Sequence, residues 1–292
     1  MLQNEIVYDM PDAEYYADPC AIPSLTQSTA RTLLECPALA HLEHPRFGGV
    51  RRSPSKEMER GSLIDTLLFD DFLGKPSRLV VLDAPDYRKT ATKDARDAAL
   101  ACGDIPVLAR ELEGARATVN KLKAKLTVKG IDLSGDSQVT MLWSVETSHG
   151  PIQCRGRLDH LVRETNRVII YDLKTTGKLT PRHKLGGHFC DFGYHIQAAA
   201  YTQAVTKALP QYAGRVDVRF VVLELDGVNR VRDVRPDAIM LDLGERLWGR
   251  ACETWAECTK SGEWPDGDDG VVRVSPPAWE LAKEEARDDE GF

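Results

Sequence analysis

The sequence predicts an α+β fold: a mixed β-sheet flanked by helices. Two observations predict it. Near residue 138 the hydrophobic period switches from helical spacing to alternation, and it stays there for three consecutive strands. A helix and then a further alternating strand follow. Strands therefore run together with helices on either side, rather than alternating one for one. The chain has 292 residues, 42% hydrophobic and 28% charged, which is enough apolar matter for a full core.

Residues 1–57 are rich in Pro, Ser and charge and read as a helical and loop extension. Within them SLTQSTARTLLECPALAHLEH starts a helix that Ser24 or Thr26 can cap, with Leu33, Leu34 and Leu39 on its apolar side. RRSPSK (51–56) is a basic loop. MERGSLIDTLLFDDFL (58–73) has Leu63, Ile64, Leu67 and Leu68 at helical spacing. RLVVLD is a short strand. Residues 86–130 are polar and helical, an insertion divided near Gly103 and Pro106. The three alternating strands are QVTMLWSVE, IQCRGRLDHLVRE and RVIIYDLKT. A helix over 192–209 leads to RVDVRFVVLEL, which alternates at Val216, Val218, Phe220 and Val222. NRVRDVRP is strand-like, a helix spans about 237–261, and 263–292 is an acidic tail. The main unit is therefore 58–262.

Several classes are excluded. No apolar run approaches the roughly 20 residues of a membrane helix. The opening MLQNEIVYDMPDAEYY is acidic, with no basic stretch before an apolar one, which predicts no secretory signal. Seven cysteines at irregular spacing, with no CxxC, read as reduced thiols of a cytosolic protein. His183, His188 and His195 are not paired with cysteines at zinc spacing. The net charge of −7 argues against binding nucleic acid through bulk basic charge.

The chemistry centres on Asp159 and Tyr171-Asp172-Leu173-Lys174. If Thr165-Asn166 centres the turn between their strands, opposed residues have numbers summing to 331, which sets Asp159 against Asp172. Opposed side chains share a face, and Lys174, two residues on, shares it too. Val168 and Ile170 would form an apolar floor beneath them. Two opposed carboxylates repel unless a cation holds them, and hard oxygen donors with open positions suit Mg²⁺. Lys174 can then orient or deprotonate an attacking water, or offset charge developing on a phosphate. A surface hairpin with an Asp–Lys pair satisfies the same spacing. Two features favour the site: Asp65 inside the apolar run LIDTLLF, and Gln197 with Tyr201, four apart on one helix face. Glu146 is a further candidate acid.

In CRGRLDHL, IIYDLKTT and DFGYHIQAAAY the chain resembles the PD-(D/E)XK nuclease superfamily. Within it the chain resembles the RecE-type (exonuclease VIII-like) phage and prophage exonucleases. LTQSTARTLLECPALA, GSLIDTLLFD and GEWPDG…PPAW extend the resemblance over most of the chain. It implies a restriction-endonuclease-like core. It also implies a Mg²⁺-dependent double-strand DNA exonuclease, with Mn²⁺ as substitute, that resects from the 5′ end and leaves a 3′ strand for a RecT-type annealing partner. A trimeric or tetrameric homo-oligomer in the cytoplasm of a bacterial host cell is implied as well. Asp159 and Asp172 match the metal-binding acids, Leu173 lies among the metal-binding positions, and Lys174 matches the catalytic lysine. Gln197 and Tyr201 match a QxxxY motif associated with DNA contact. Asp65 stands where this group usually has a histidine that touches the metal. That departure is the hint for one alternative, an inactive nuclease fold that binds DNA ends or a partner; a structure-specific endonuclease of the same superfamily is a further alternative.

Some relatives hold an Fe–S cluster with one N-terminal and three C-terminal cysteines. Here Cys36 is followed at the far end by Cys252 and Cys258 alone, so no cluster is expected. The charge is also partitioned. Residues 1–45 carry net −6 and 252–292 net −8, which leaves +7 on 46–251. Candidate phosphate contacts in that basic part are Arg46, Arg51, Arg52, Lys56 and Arg60; Lys89, Lys93 and Arg96; and Lys178, Arg182 and Lys184.

Overall fold

The computed structural model describes residues 4–50, 56–69, 78–131, 134–177, 181–225, 228–267, 270–271 and 273–289. In chain order its first elements are β1 (Glu5–Val7), α1 (Asp12–Ala17), β2 (Ser24–Leu25), α2 (Gln27–Glu35), α3 (Pro37–Glu43) and α4 (Lys56–Phe69). Next come β3 (Leu79–Leu82), α5 (Thr90–Ala101), β4 (Ile105–Leu108) and α6 (Ala109–Val128). The strands β5 (Asp136–Val145), β6 (Ile152–Arg163) and β7 (Val168–Thr176) follow, then α7 (Leu185–Asp191) and α8 (Tyr194–Ala208). The chain continues with β8 (Val216–Glu224), β9 (Arg230–Val234), α9 (Ala238–Ser261) and α10 (Ala278–Asp289). Among the described residues no helix is long and apolar enough to cross a membrane.

The sheet runs β1-β5-β6-β7-β8-β9, with β2 beside β6. It is mixed, as predicted. β5, β6 and β7 form an antiparallel meander, while α8 carries the chain back so that β8 lies parallel to β7. Period-two alternation sends β7 to two cores. Val168 and Ile170 join Val218, Phe220 and Trp255 under α2, α8 and α9. Ile169 and Tyr171 join Leu67, Leu122 and Leu126 of α4 and α6. The result is helices on both faces of one sheet. α8 and α9 approach closely because Gly244 has no side chain: a Cβ there would lie 2.1 Å from the His195 carbonyl oxygen.

The structure redraws two predicted segments. The single helix expected from residue 24 is β2, α2 and α3. Pro37 drives Cys36 out of the helical region, to φ −156° and ψ 99°, and the helix restarts after it. Thr26 is the cap, accepting from the Thr29 N–H at 3.0 Å, while Ser24 is buried in β2. In the polar region 86–130, Ile105–Leu108 is a strand that pairs in parallel with β3, Val81 opposite Val107. Four residues are too few for alternation to show against two long helices.

Candidate active site

The site is a fork in the sheet. β6 and β7 pair from Arg163↔Val168 to His160↔Tyr171, all with numbers summing to 331, and the pairing ends there. Beyond it β6 stays on β5, and β7 stays on β8 as far as Thr176↔Glu224. At the far end of the same edge, β6 pairs with β2 at Gln153 and Cys154. Residues 155–159 lie between these two pairings, and they carry Arg155, Arg157 and Asp159. Side chains complete the backbone bonding there. The Leu173 N–H donates to Asp159 Oδ2 at 2.9 Å, and the Tyr201 hydroxyl donates to the Arg157 carbonyl at 2.8 Å. Gly156 makes room for that phenol, since a Cβ would meet Tyr201 Cε1 at 3.0 Å.

The fork opens on a cavity of about 320 Å³ lined by Asp159, Asp172, Lys174, Gln197 and Tyr201. The register sums to 331 as expected but ends one pair short of Asp159 and Asp172, which nonetheless line the same cavity with Lys174. Asp172 is buried. Its Oδ1 lies 2.5 Å from Lys174 Nζ, and its Oδ2 accepts from Gln197 Nε2 at 2.5 Å. Burial and the Asp172 charge push the Asp159 carboxyl up to about 7, against Lys174 and the Leu173 N–H, which lower it. Burial pulls Lys174 down, but Asp172 and Asp159 outweigh it and raise its pKa, so it is an ammonium. Tyr201 is raised well above the usual phenol range by burial first and the Asp172 charge second.

Two carboxylates in like-charge conflict, facing a polar cavity, fit a divalent cation that keeps several waters. Among the described residues no three His, Cys, Asp or Glu side chains gather as a metal-holding group. Asp65 connects to the cavity through Gln138, whose amide donates to its Oδ2 at 2.7 Å. Gln138 sits at φ +52°, a strained conformation for a non-glycine residue, where the β5–β6 register passes Asp159. Leu173 contributes its N–H to Asp159. Gln197 and Tyr201 are buried, 3% and 5% exposed, with their polar ends on Asp172 and on the strand. Their observed work is to hold the fork.

Other predicted residues lie elsewhere. Arg182 is exposed on a 3₁₀ turn, Arg182–Lys184, just before α7. Arg51, Arg52 and Lys178 lie outside the described residues, as does the Lys56 side chain. Glu146 is exposed after β5. His195 is buried and bonded to the Phe189 carbonyl at 3.3 Å. Arg46 donates to the Cys20 carbonyl at 2.6 Å, and Arg96 pairs with Glu59.

The site also holds residues that the sequence reading missed. Arg155 and Arg157 line the cavity beside Tyr15 and the start of α2. Arg155 is held by Asp18 at 3.1 Å and by the Ser24 carbonyl at 3.2 Å. Arg157 pairs with Asp12 and lies 4.2 Å from the Tyr15 ring centroid. The available signal was their period-two spacing with Asp159 inside CRGRLD.

The sequence profile of the PD-(D/E)XK nuclease superfamily matches residues 24–282. No curated protein matches the chain. Among solved structures, a proposed exonuclease from Eubacterium rectale is 12% identical with a TM-score of 0.59, covering 94% of this chain and 98% of that one. At that identity the likeness concerns the fold. A second structure, SSO0001, is 15% identical over 64% of this chain and 84% of that one, with a TM-score of 0.27.

Proposed function

The chain belongs to the PD-(D/E)XK nuclease superfamily, and we propose that within it this protein is a RecE-type, Mg²⁺-dependent exonuclease of double-stranded DNA. The observation that carries the reading is the convergence of Asp159, Asp172 and Lys174 on one cavity at the fork. Asp159 and Asp172 would hold the cation, with Mn²⁺ as a substitute. A bound divalent ion supplies a nucleophilic water near neutral pH and charge stabilisation at the phosphate. Lys174, kept charged by its two carboxylate neighbours, offsets the negative charge that grows on the phosphate oxygens. Gln197 fixes the rotation of the Asp172 carboxylate. Arg155 and Arg157, each anchored by its own acid, bring fixed positive charge to the same cavity.

The proposed direction is 5′ to 3′, leaving a 3′ single strand for a RecT-type annealing protein, by an enzyme assembled as a trimer or tetramer in the cytoplasm of a bacterial host. These finer points rest on family resemblance. The test is digestion of linear duplex labelled at either the 5′ or the 3′ end, beside closed circular duplex, in Mg²⁺. The expected result is rapid release of the 5′ label as mononucleotide, intact circles, and at least a hundredfold loss with Asp172→Ala, an order of magnitude typical for a lost catalytic group. Cut circles would make it an endonuclease. Activity retained by Asp172→Ala would remove the site.

A further inference from the structure

A ladder of aromatic rings leads outward from the Lys174 ammonium. Lys174 Nζ lies 4.9 Å from the Tyr194 ring centroid and 5.9 Å from that of Phe220. Tyr194 stacks on Phe220 at 5.4 Å and 23°. Phe192 stacks on Tyr194 at 5.7 Å and 24°, and His188 lies 4.5 Å from Phe192. The ladder is sealed at one end and open at the other: Phe220 is fully buried, while Phe192 is 49% exposed.

The open ring is held in place. Gly193, at φ +69°, makes the turn from α7 into α8, and a Cβ there would press on Arg31 Cδ at 3.1 Å. The Arg31 stem thus packs on the backbone between Phe192 and Tyr194, and its side chain raises the positive charge felt at the Tyr194 ring. The exposed basic turn Arg182–Lys184 leads into the same short helix. Phe192 therefore stands as a half-exposed aromatic ring stacked on Tyr194, with the Arg31 stem on the neighbouring backbone, two rings from the proposed catalytic lysine.

Cations that track a backbone beside an aromatic face are the means of holding single-stranded nucleic acid. A base inside a duplex has both faces covered by its neighbours, whereas an unpaired base is free to lie on such a ring, and the outer face of a terminal pair can only cap it. We infer that Phe192 stacks an unpaired nucleobase of the strand entering the fork, within one or two nucleotides of the bond to be cut. This rests on the nuclease reading above.

The test is fluorescence anisotropy of a short labelled oligo(dT), and of the same strand with abasic sugars, in EDTA so that nothing is cut. Phe192→Ala is expected to bind oligo(dT) about tenfold more weakly than wild type, the order of one lost base–aromatic stack. Phe192→Trp should bind as well as wild type. On the abasic strand all three proteins should bind alike. Equal oligo(dT) binding by wild type and Phe192→Ala overturns the inference, as does an equal loss on the abasic strand. Linear duplex digestion by the same wild-type preparation separates the two claims. Digestion with unaltered Phe192→Ala binding removes the platform alone, whereas neither digestion nor binding removes both.

Discussion

Asp172 divides its carboxylate between two partners, Lys174 on Oδ1 and Gln197 on Oδ2. An acid with both oxygens occupied has one orientation, and an oriented acid is what a weakly held hard cation needs. Removing an outer partner of a metal-binding group typically costs about 10–100-fold in metal affinity. Gln197→Ala should therefore raise the Mg²⁺ concentration for half-maximal activity by about that factor. The rate at saturating Mg²⁺ should change far less. A metal titration of initial rate checks this. An unchanged midpoint would return Gln197 to the DNA-contact role that its motif suggested. Its motif and its place on the helix were readable in the sequence. Its partner was not, because only the crossover of α8 over the sheet aims the amide at Asp172.

At the scale of elements, the close approach of α8 and α9 is the most exacting contact. Gly244→Ala would place a methyl 2.1 Å from the His195 carbonyl, so one helix must move. The expected cost is about 1–3 kcal/mol, as for overpacking elsewhere. Gly249, on the same helix, has nothing within 4 Å of an added Cβ. Gly249→Ala should be neutral, or stabilise by up to about 1 kcal/mol through helix propensity. Urea unfolding of the two variants decides it, and equal midpoints would contradict the packing argument. The long strands and helices were legible because period and length both report them. β2 and β4, at two and four residues, give no period to read, and β2 pairs with a strand far away in sequence. Arg155 and Arg157 were hidden for a related reason. Charged residues on a strand read as its wet face, yet Arg155 is 4% exposed, paired with an aspartate 137 positions earlier.

For the whole molecule the conflict between the two acids should be visible as pH-dependent stability. Asp159 has its folded pKa raised from 3.8 to about 7 by burial and by Asp172. Its contribution to stability is therefore complete below about pH 4 and is lost as pH rises through 7. In EDTA, the wild-type melting temperature should fall over that window more than that of Asp159→Asn. Added Mg²⁺ should stabilise wild type more at pH 8 than at pH 6, since deprotonated oxygens bind the ion. Parallel curves for wild type and Asp159→Asn would show that neither burial nor Asp172 raises the Asp159 carboxyl. The fork has a mechanical consequence as well. Asp159 belongs to the β5–β6 arm and Asp172 to the β7–β8 arm, and the last paired residues between the arms are His160 and Tyr171. Three bonds rivet the open end: the Leu173 N–H on Asp159, and Gln197 and Tyr201 reaching from one helix to the two arms. The spacing of the acids is thus set by these rivets rather than by the strand ladder.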